Sequence, residues 1–154
     1  MYFYLLIFHS FFRWLVLASL SFAIFRAWTG WIKKLPFTGF DNSIRHWTAT
    51  IAHIQLVLGI TLYIVSPLTQ YFRANFHEAV HDREIRFFGM EHSLVMTVAI
   101  LVLTIGSMLA KRKLTDTEKF KTMAWWFTAS LLLLLTSIPW QFSPLVSRPY
   151  FRFF

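Results

Sequence analysis

The chain has 154 residues, 56% of them hydrophobic, and its 15 Lys and Arg against 7 Asp and Glu give a formal charge of +8. A mean hydropathy of +0.53 is too apolar for a water-soluble domain of this length and places the chain among membrane proteins. The absence of cysteine excludes disulfides, thiolate zinc, cysteine-ligated iron–sulfur clusters and C-x-x-C-H haem attachment.

Four apolar stretches reach the length of about 20 residues that a bilayer-crossing helix needs. The first, residues 3–27, carries His9 and Arg13. No Lys or Arg precedes it and no small-residue cleavage site follows, so it reads as a retained helix rather than a cleaved signal peptide. The second, residues 44–65, is preceded by Asp41, Asn42 and Ser43 as possible caps, carries His46, His53 and Gln55, and ends before Pro67. A polar connection, NFHEAVHDREIR at residues 75–86, leads to the third stretch, residues 87–110, with Gly89, Glu91 and His92 near its start. Thr115-Asp116-Thr117-Glu118 has the form of a capping box, so the fourth helix is expected to begin ahead of its apolar span at residues 123–140. That span offers only hydroxyls such as Thr128, Ser130, Thr136 and Ser137, and its leucine run, Leu131 to Leu135, suits a lipid-facing surface.

The positive charges are distributed by loop. Arg26, Lys33, Lys34 and Arg45 flank the first connection, and Lys111, Arg112, Lys113, Lys119 and Lys121 crowd the third. Arg73, Arg83, Arg86, Arg148 and Arg152 occupy the second connection and the C-terminal tail. By the positive-inside rule the first and third connections are cytoplasmic and both termini lie outside. Trp28, Trp31, Trp47, Trp125 and Trp126 would then form an aromatic belt at the inner interface. The basic excess is a topology signal, and nucleic acid is not an expected partner. Short connections favour an all-α integral membrane protein: one domain, residues 1–154, folded as a four-helix up-down transmembrane bundle in the lipid bilayer.

Two sets of residues carry possible chemistry. His77-Glu78-Ala79-Val80-His81 fits H-E-x-x-H, which on a helix places two zinc ligands on one face with a general base between them. A zinc hydrolase also needs a third ligand and a cleft for the scissile carbonyl. Glu84, Glu91 and His92 are available as third ligands, but the connection is too short to build the cleft. It reads better as a polar, partly helical loop.

The second set lies inside the apolar spans, where ionisable groups are costly and usually face the bundle interior. At a rise of 1.5 Å per residue, His9 lies roughly 8–10 Å and His92 roughly 6–8 Å below the outer edge. The first and third helices of an up-down bundle are diagonal neighbours, so these two histidines can ligate one haem iron from opposite faces. Haem b needs only axial ligands, an apolar slot and partners for its propionates. Gly89 would leave room for the macrocycle, and Arg13 could pair with a propionate or with Glu91. Gln55 and His53 could hydrogen-bond a propionate or a quinone headgroup, and His53 is itself a possible ligand, to the same haem or to a second one with His46. The plainer alternative for each is an interhelical hydrogen bond or an interfacial side chain.

HSFFRW (His9 to Trp14), AHIQLVLG (Ala52 to Gly59), EHS (Glu91 to Ser93) and SIPW (Ser137 to Trp140) resemble a family of small four-helix bacterial membrane proteins of cytochrome b-like type. The resemblance extends over all four spans. It implies a b-type haem, electron transfer, and His9, His53 and His92 as candidate ligands. HEAVH is not part of that pattern. Larger di-haem cytochromes b carry two histidines on each of two helices; this chain departs from that arrangement, which argues against a second haem.

The expectation is therefore a multi-pass protein of the bacterial cytoplasmic (inner) membrane. It binds one haem b through His9 and His92, exchanges electrons with quinone or quinol and a redox protein, and works within a larger respiratory or redox complex rather than as a stand-alone enzyme. The rival expectation is a cofactor-free accessory subunit of a membrane complex, in which the same polar residues only join helices.

Overall fold

A computed structural model describes residues 2–141 and Val146. Among these the chain is helical, with no strand: α1 Tyr2–Ile32, α2 Gly39–Val65, α3 Pro67–Ala74, α4 Phe76–Ala79, α5 Arg83–Arg86, a π-helical turn Phe87–Glu91, α6 His92–Arg112 and α7 Asp116–Ser137. Three helical runs, Tyr2–Ile32, Gly39–Val65 and Arg83–Arg112, are long and apolar enough to cross a membrane. Arg148 and Arg152 lie outside the described residues.

The first turn of chain direction is set by backbone chemistry. After α1, the Leu35 N–H donates to the Gly30 carbonyl at 3.0 Å and the Lys34 N–H to that of Trp31 at 3.3 Å, while Lys34 takes φ 49°. This is a Schellman termination with a lysine at the left-handed position, and Pro36 follows to prevent resumption. α2 starts five residues earlier than its apolar span suggested. Its cap is Thr38, whose hydroxyl accepts from the Asp41 N–H while the Asp41 carboxylate accepts from the Thr38 N–H. Asp41, Asn42 and Ser43 are thus helix residues rather than caps. Asp41 also accepts from Arg26 Nη2 at 2.6 Å, locking α1 to α2.

α7 does begin at a capping Thr115, but it stops at Ser137 instead of running to Trp140. The residue before a proline avoids the helical region, and Ile138, preceding Pro139, is extended at ψ 130°. The connection between Pro67 and Phe87, expected to be partly helical, contains α3, α4 and α5; Pro67 occupies the first turn of α3, where its missing N–H costs nothing.

α1 packs against α2 and α7, and α6 packs against α2 and α7, which leaves α1 and α6 diagonal to one another. Small side chains permit the close approach: Ala23, Ala27 and Gly30 on α1, Ala49 and Ala52 on α2, Gly106, Ser107 and Ala110 on α6, and Ala124 on α7 are all buried. Polar bonds tie the seams. Arg45 donates to the Ser107 hydroxyl at 2.6 Å, Ser130 to the Ala99 carbonyl at 2.8 Å, and Trp28 Nε1 to Thr128 at 3.1 Å. The outward faces are apolar: Phe8, Phe11, Phe22 and Phe25 on α1, Ile54, Val57, Ile60 and Ile64 on α2, and Leu94, Val98, Leu101 and Ile105 on α6 are exposed. Such continuous apolar faces suit lipid and would associate in water.

Candidate functional site

At the end of the assembly where α3 to α5 lie, α1, α2, α6 and the last turn of α7 surround a cavity of about 840 Å³. Ligand pockets run from about 300 to 1,000 Å³. The wall is mostly apolar and aromatic, with His9, Arg13, Gln55 and His92 as its principal polar side chains.

His92 is placed by two irregularities. The π-helical turn Phe87–Glu91 hands the His92 N–H to the Phe87 carbonyl, five residues back, and so resets the register of α6 at that residue. On the facing helix, termination of α7 before Pro139 frees the Ser137 carbonyl, and His92 Nδ1 lies 2.7 Å from it. A carbonyl only accepts, so Nδ1 carries the hydrogen and Nε2 of the neutral ring keeps a lone pair. Phe87 packs along the ring with centroids 5.7 Å apart.

His9 meets His92 from the diagonal helix, with ring centroids 6.4 Å apart and planes at 73°. Its surroundings come from α2. Gly59 lies against the ring, so that a Cβ there would stand 3.3 Å from His9 Cε1. Gln55 Nε2 donates to the His9 backbone carbonyl at 3.0 Å and lies 3.4 Å from His9 Nε2. His9 Nδ1 and Gln55 Oε1 are buried with no hydrogen-bond partner among the described residues. Each such atom costs about 1–3 kcal/mol until something satisfies it.

Arg13 lines the same cavity; it donates to Ser10 Oγ at 3.4 Å and its guanidinium lies 5.4 Å from the Trp14 ring centre. Glu91 is engaged by Arg86 at 2.8 Å, so the carboxylate expected beside Arg13 has another cation. Gly89 does not open space for a flat ligand, because the Phe72 ring of α3 occupies the position a Cβ would take; its carbonyl accepts from the Tyr63 hydroxyl at 2.9 Å.

The structure does not bring His53 to this cluster. It is exposed on α2, with Nε2 2.9 Å from the Thr104 hydroxyl of α6, and does not line the cavity. His46 is likewise exposed, its ring 5.8 Å from that of Trp47. Of HEAVH, only His77, Glu78 and Ala79 are helical, since α4 ends at Ala79. The His77 and His81 rings lie 6.1 Å apart on the surface, and no cluster of three or more metal-ligating side chains forms among the described residues.

Three participants were not anticipated: Gly59, the π-helical turn and the Ser137 carbonyl. The signals for two of them are present in the sequence, as a glycine one turn beyond Gln55 and a proline two residues after Ser137. No protein-family model, curated protein or solved structure matches the chain.

Proposed function

We propose that the chain is a four-helix up-down transmembrane bundle of a bacterial cytoplasmic membrane, with both termini outside, that binds one haem b. In this reading it carries electrons as a subunit of a larger redox assembly. The carrying observation is the His9–His92 pair. The observed separation is 6.4 Å, with the rings on diagonal helices across a cavity of about 840 Å³. His92 supports the reading, since one ring nitrogen donates to the Ser137 carbonyl and the other keeps its lone pair, as a metal-bound histidine requires.

The residues present fit the group. His9 and His92 would hold the iron, Arg13 would pair with a propionate, and Phe87 and Phe88 would give the His92 ring an apolar surround. A bound haem supplies reversible one-electron chemistry at iron. The protein's part is to hold the His92 tautomer through Ser137, to keep His9 in place through Gly59 and Gln55, and to exclude water with the aromatic wall.

A reduced-minus-oxidised visible spectrum of the detergent-purified protein tests this. Sharp b-type bands are expected in wild type and are lost in His92→Ala. A colourless protein at full haem supply removes the reading. It would leave the accessory-subunit reading, which the 2.9 Å contact of His53 with Thr104 between α2 and α6 supports.

A further inference from the structure

α6 runs from His92, beside the cavity, to Arg112, a rise of about 30 Å. At that far end only Lys113 to Thr115 separate α6 from α7. Beside this turn lies a recess of about 270 Å³, lined by Lys113, Glu118, Lys121, Thr122, Trp125 and Trp126. Its walls are held by neighbouring helices. Gly106 of α6 has no side chain and so leaves the space into which Trp126 packs. Trp125 stands against Trp28 and Trp31 of α1, with ring centroids 5.2 and 6.3 Å apart. Lys121 Nζ lies 5.7 Å from the centre of the Trp31 ring.

The charges of the recess are not balanced within the chain. Lys119, two residues before Lys121, pairs with Asp116 at 3.2 Å. Lys113 and Lys121 have no carboxylate partner among the described residues. Glu118 is the one acid of the lining, and its carboxylate accepts from the Thr115 hydroxyl at 3.1 Å within the α7 cap. Two ammonium groups and the Thr122 hydroxyl thus share the recess with one engaged carboxylate, a donor set suited to a phosphate. The surroundings favour a phosphate that carries acyl chains. Leu114, next to Lys113, is 92% exposed and Trp125 is 55% exposed. At a membrane interface the leucine enters the acyl boundary and the indole sits at headgroup level. Lys121, Trp125, Ala129 and Leu132 are all exposed and follow one another along one face of α7. That face offers an acyl chain a track of about 16 Å leading away from the lysines.

We infer that this recess binds the headgroup of an anionic phospholipid, with its phosphate at Lys113 and Lys121 and one acyl chain along Trp125, Ala129 and Leu132. The site rests on the membrane placement proposed above, which makes this end cytoplasmic, where anionic headgroups give the leaflet its negative surface potential. It does not rest on the haem.

The test is native mass spectrometry of the detergent-solubilised full-length protein, offered equal amounts of phosphatidylglycerol and phosphatidylcholine with the same acyl chains. Each lysine beside a membrane phosphate is worth about fivefold in affinity, so wild type should prefer phosphatidylglycerol by at least about fivefold. Lys113→Gln and Lys121→Gln should each lower that preference severalfold, and Glu118→Gln should raise it. Lys33→Gln, an exposed lysine that does not line the recess, should leave it unchanged. Equal binding of the two lipids by wild type overturns the proposal. So does a preference that survives loss of both recess lysines, or one that falls as far in Lys33→Gln. Displacement of phosphatidylglycerol by excess inorganic phosphate overturns the lipid assignment in favour of a soluble phosphate ligand. Protein recovered from cells without membranes sinks the membrane placement, and this site with it. Membrane-bound protein that shows no preference sinks this proposal alone.

Discussion

Gly59 provides a test of His9 that does not alter His9. It sits on α2, one turn past Gln55, where a Cβ would come 3.3 Å from His9 Cε1 and 3.8 Å from Nδ1. Gly59→Ala is therefore close to neutral. The first contact needs only a few tenths of an ångström of relief, and the cost is offset by the gain of about 0.5–1 kcal/mol from replacing glycine inside a helix. Gly59→Leu differs because three further carbons must enter space the imidazole holds. Overpacking of that kind costs about 1–3 kcal/mol. The ring is the part that yields, since Nδ1 has no hydrogen-bond partner among the described residues. The expected result is a b-type spectrum retained in the alanine variant and shifted or lost in the leucine variant, with helix content by circular dichroism unchanged in both. A folded Gly59→Leu protein with wild-type bands would refute ligation by His9.

Three further outcomes follow from particular contacts. Asp41→Ala removes the acceptor of Arg26 and half of the α2 capping box, and should lower stability by about 3 kcal/mol in a denaturant titration of the detergent-solubilised protein; a loss below 1 kcal/mol would show that this pair contributes little. Lys34→Gly relieves the left-handed backbone and should stabilise by about 1 kcal/mol in the same titration, whereas a destabilised variant would mean the lysine side chain matters more than its φ. His53→Ala should leave the haem spectrum untouched while weakening the α2–α6 seam by about 1 kcal/mol, and loss of the bands would return His53 to the ligand set.

The parts of the fold that follow from local chemistry were legible in the sequence. Hydropathy marks four apolar spans, three of which coincide with helical runs long and apolar enough to cross a membrane, and Thr115-x-x-Glu118 marks the start of α7. The apolar run continues through Pro139, but the residue before a proline avoids the helical region and α7 ends at Ser137; α2 begins ahead of its apolar run because Thr38 and Asp41 form its cap. The space beside Gly89 is filled by Phe72, a residue of a short helix whose place against the π-helical turn has no counterpart in periodicity. His53 could not be assigned a face from pattern, because α2 is apolar on its buried and its exposed sides alike.

Pro139 connects the backbone to the site most directly. In a continuing helix the Ser137 carbonyl would be taken by the N–H four residues on. Pro139 prevents this by holding Ile138 extended, and the freed oxygen accepts from His92 Nδ1 at 2.7 Å. The π-helical turn before His92 is the complementary irregularity, since it brings the ring to that oxygen from the opposite helix. The two departures from regular helix meet at this contact. Pro139→Ala should let α7 extend and withdraw the carbonyl. His92 would then lose the bond that fixes its tautomer, while the cavity loses only the Pro139 ring from its wall. Loss of an outer-shell partner of a metal-bound histidine costs about 10–100-fold in affinity. Haem titration into Pro139→Ala apoprotein should therefore show binding weakened by at least about tenfold, with helix content equal or slightly higher. Unchanged affinity, with His92→Ala still abolishing the bands, would show that His92 ligates without help from Ser137 and that the end of α7 serves packing alone.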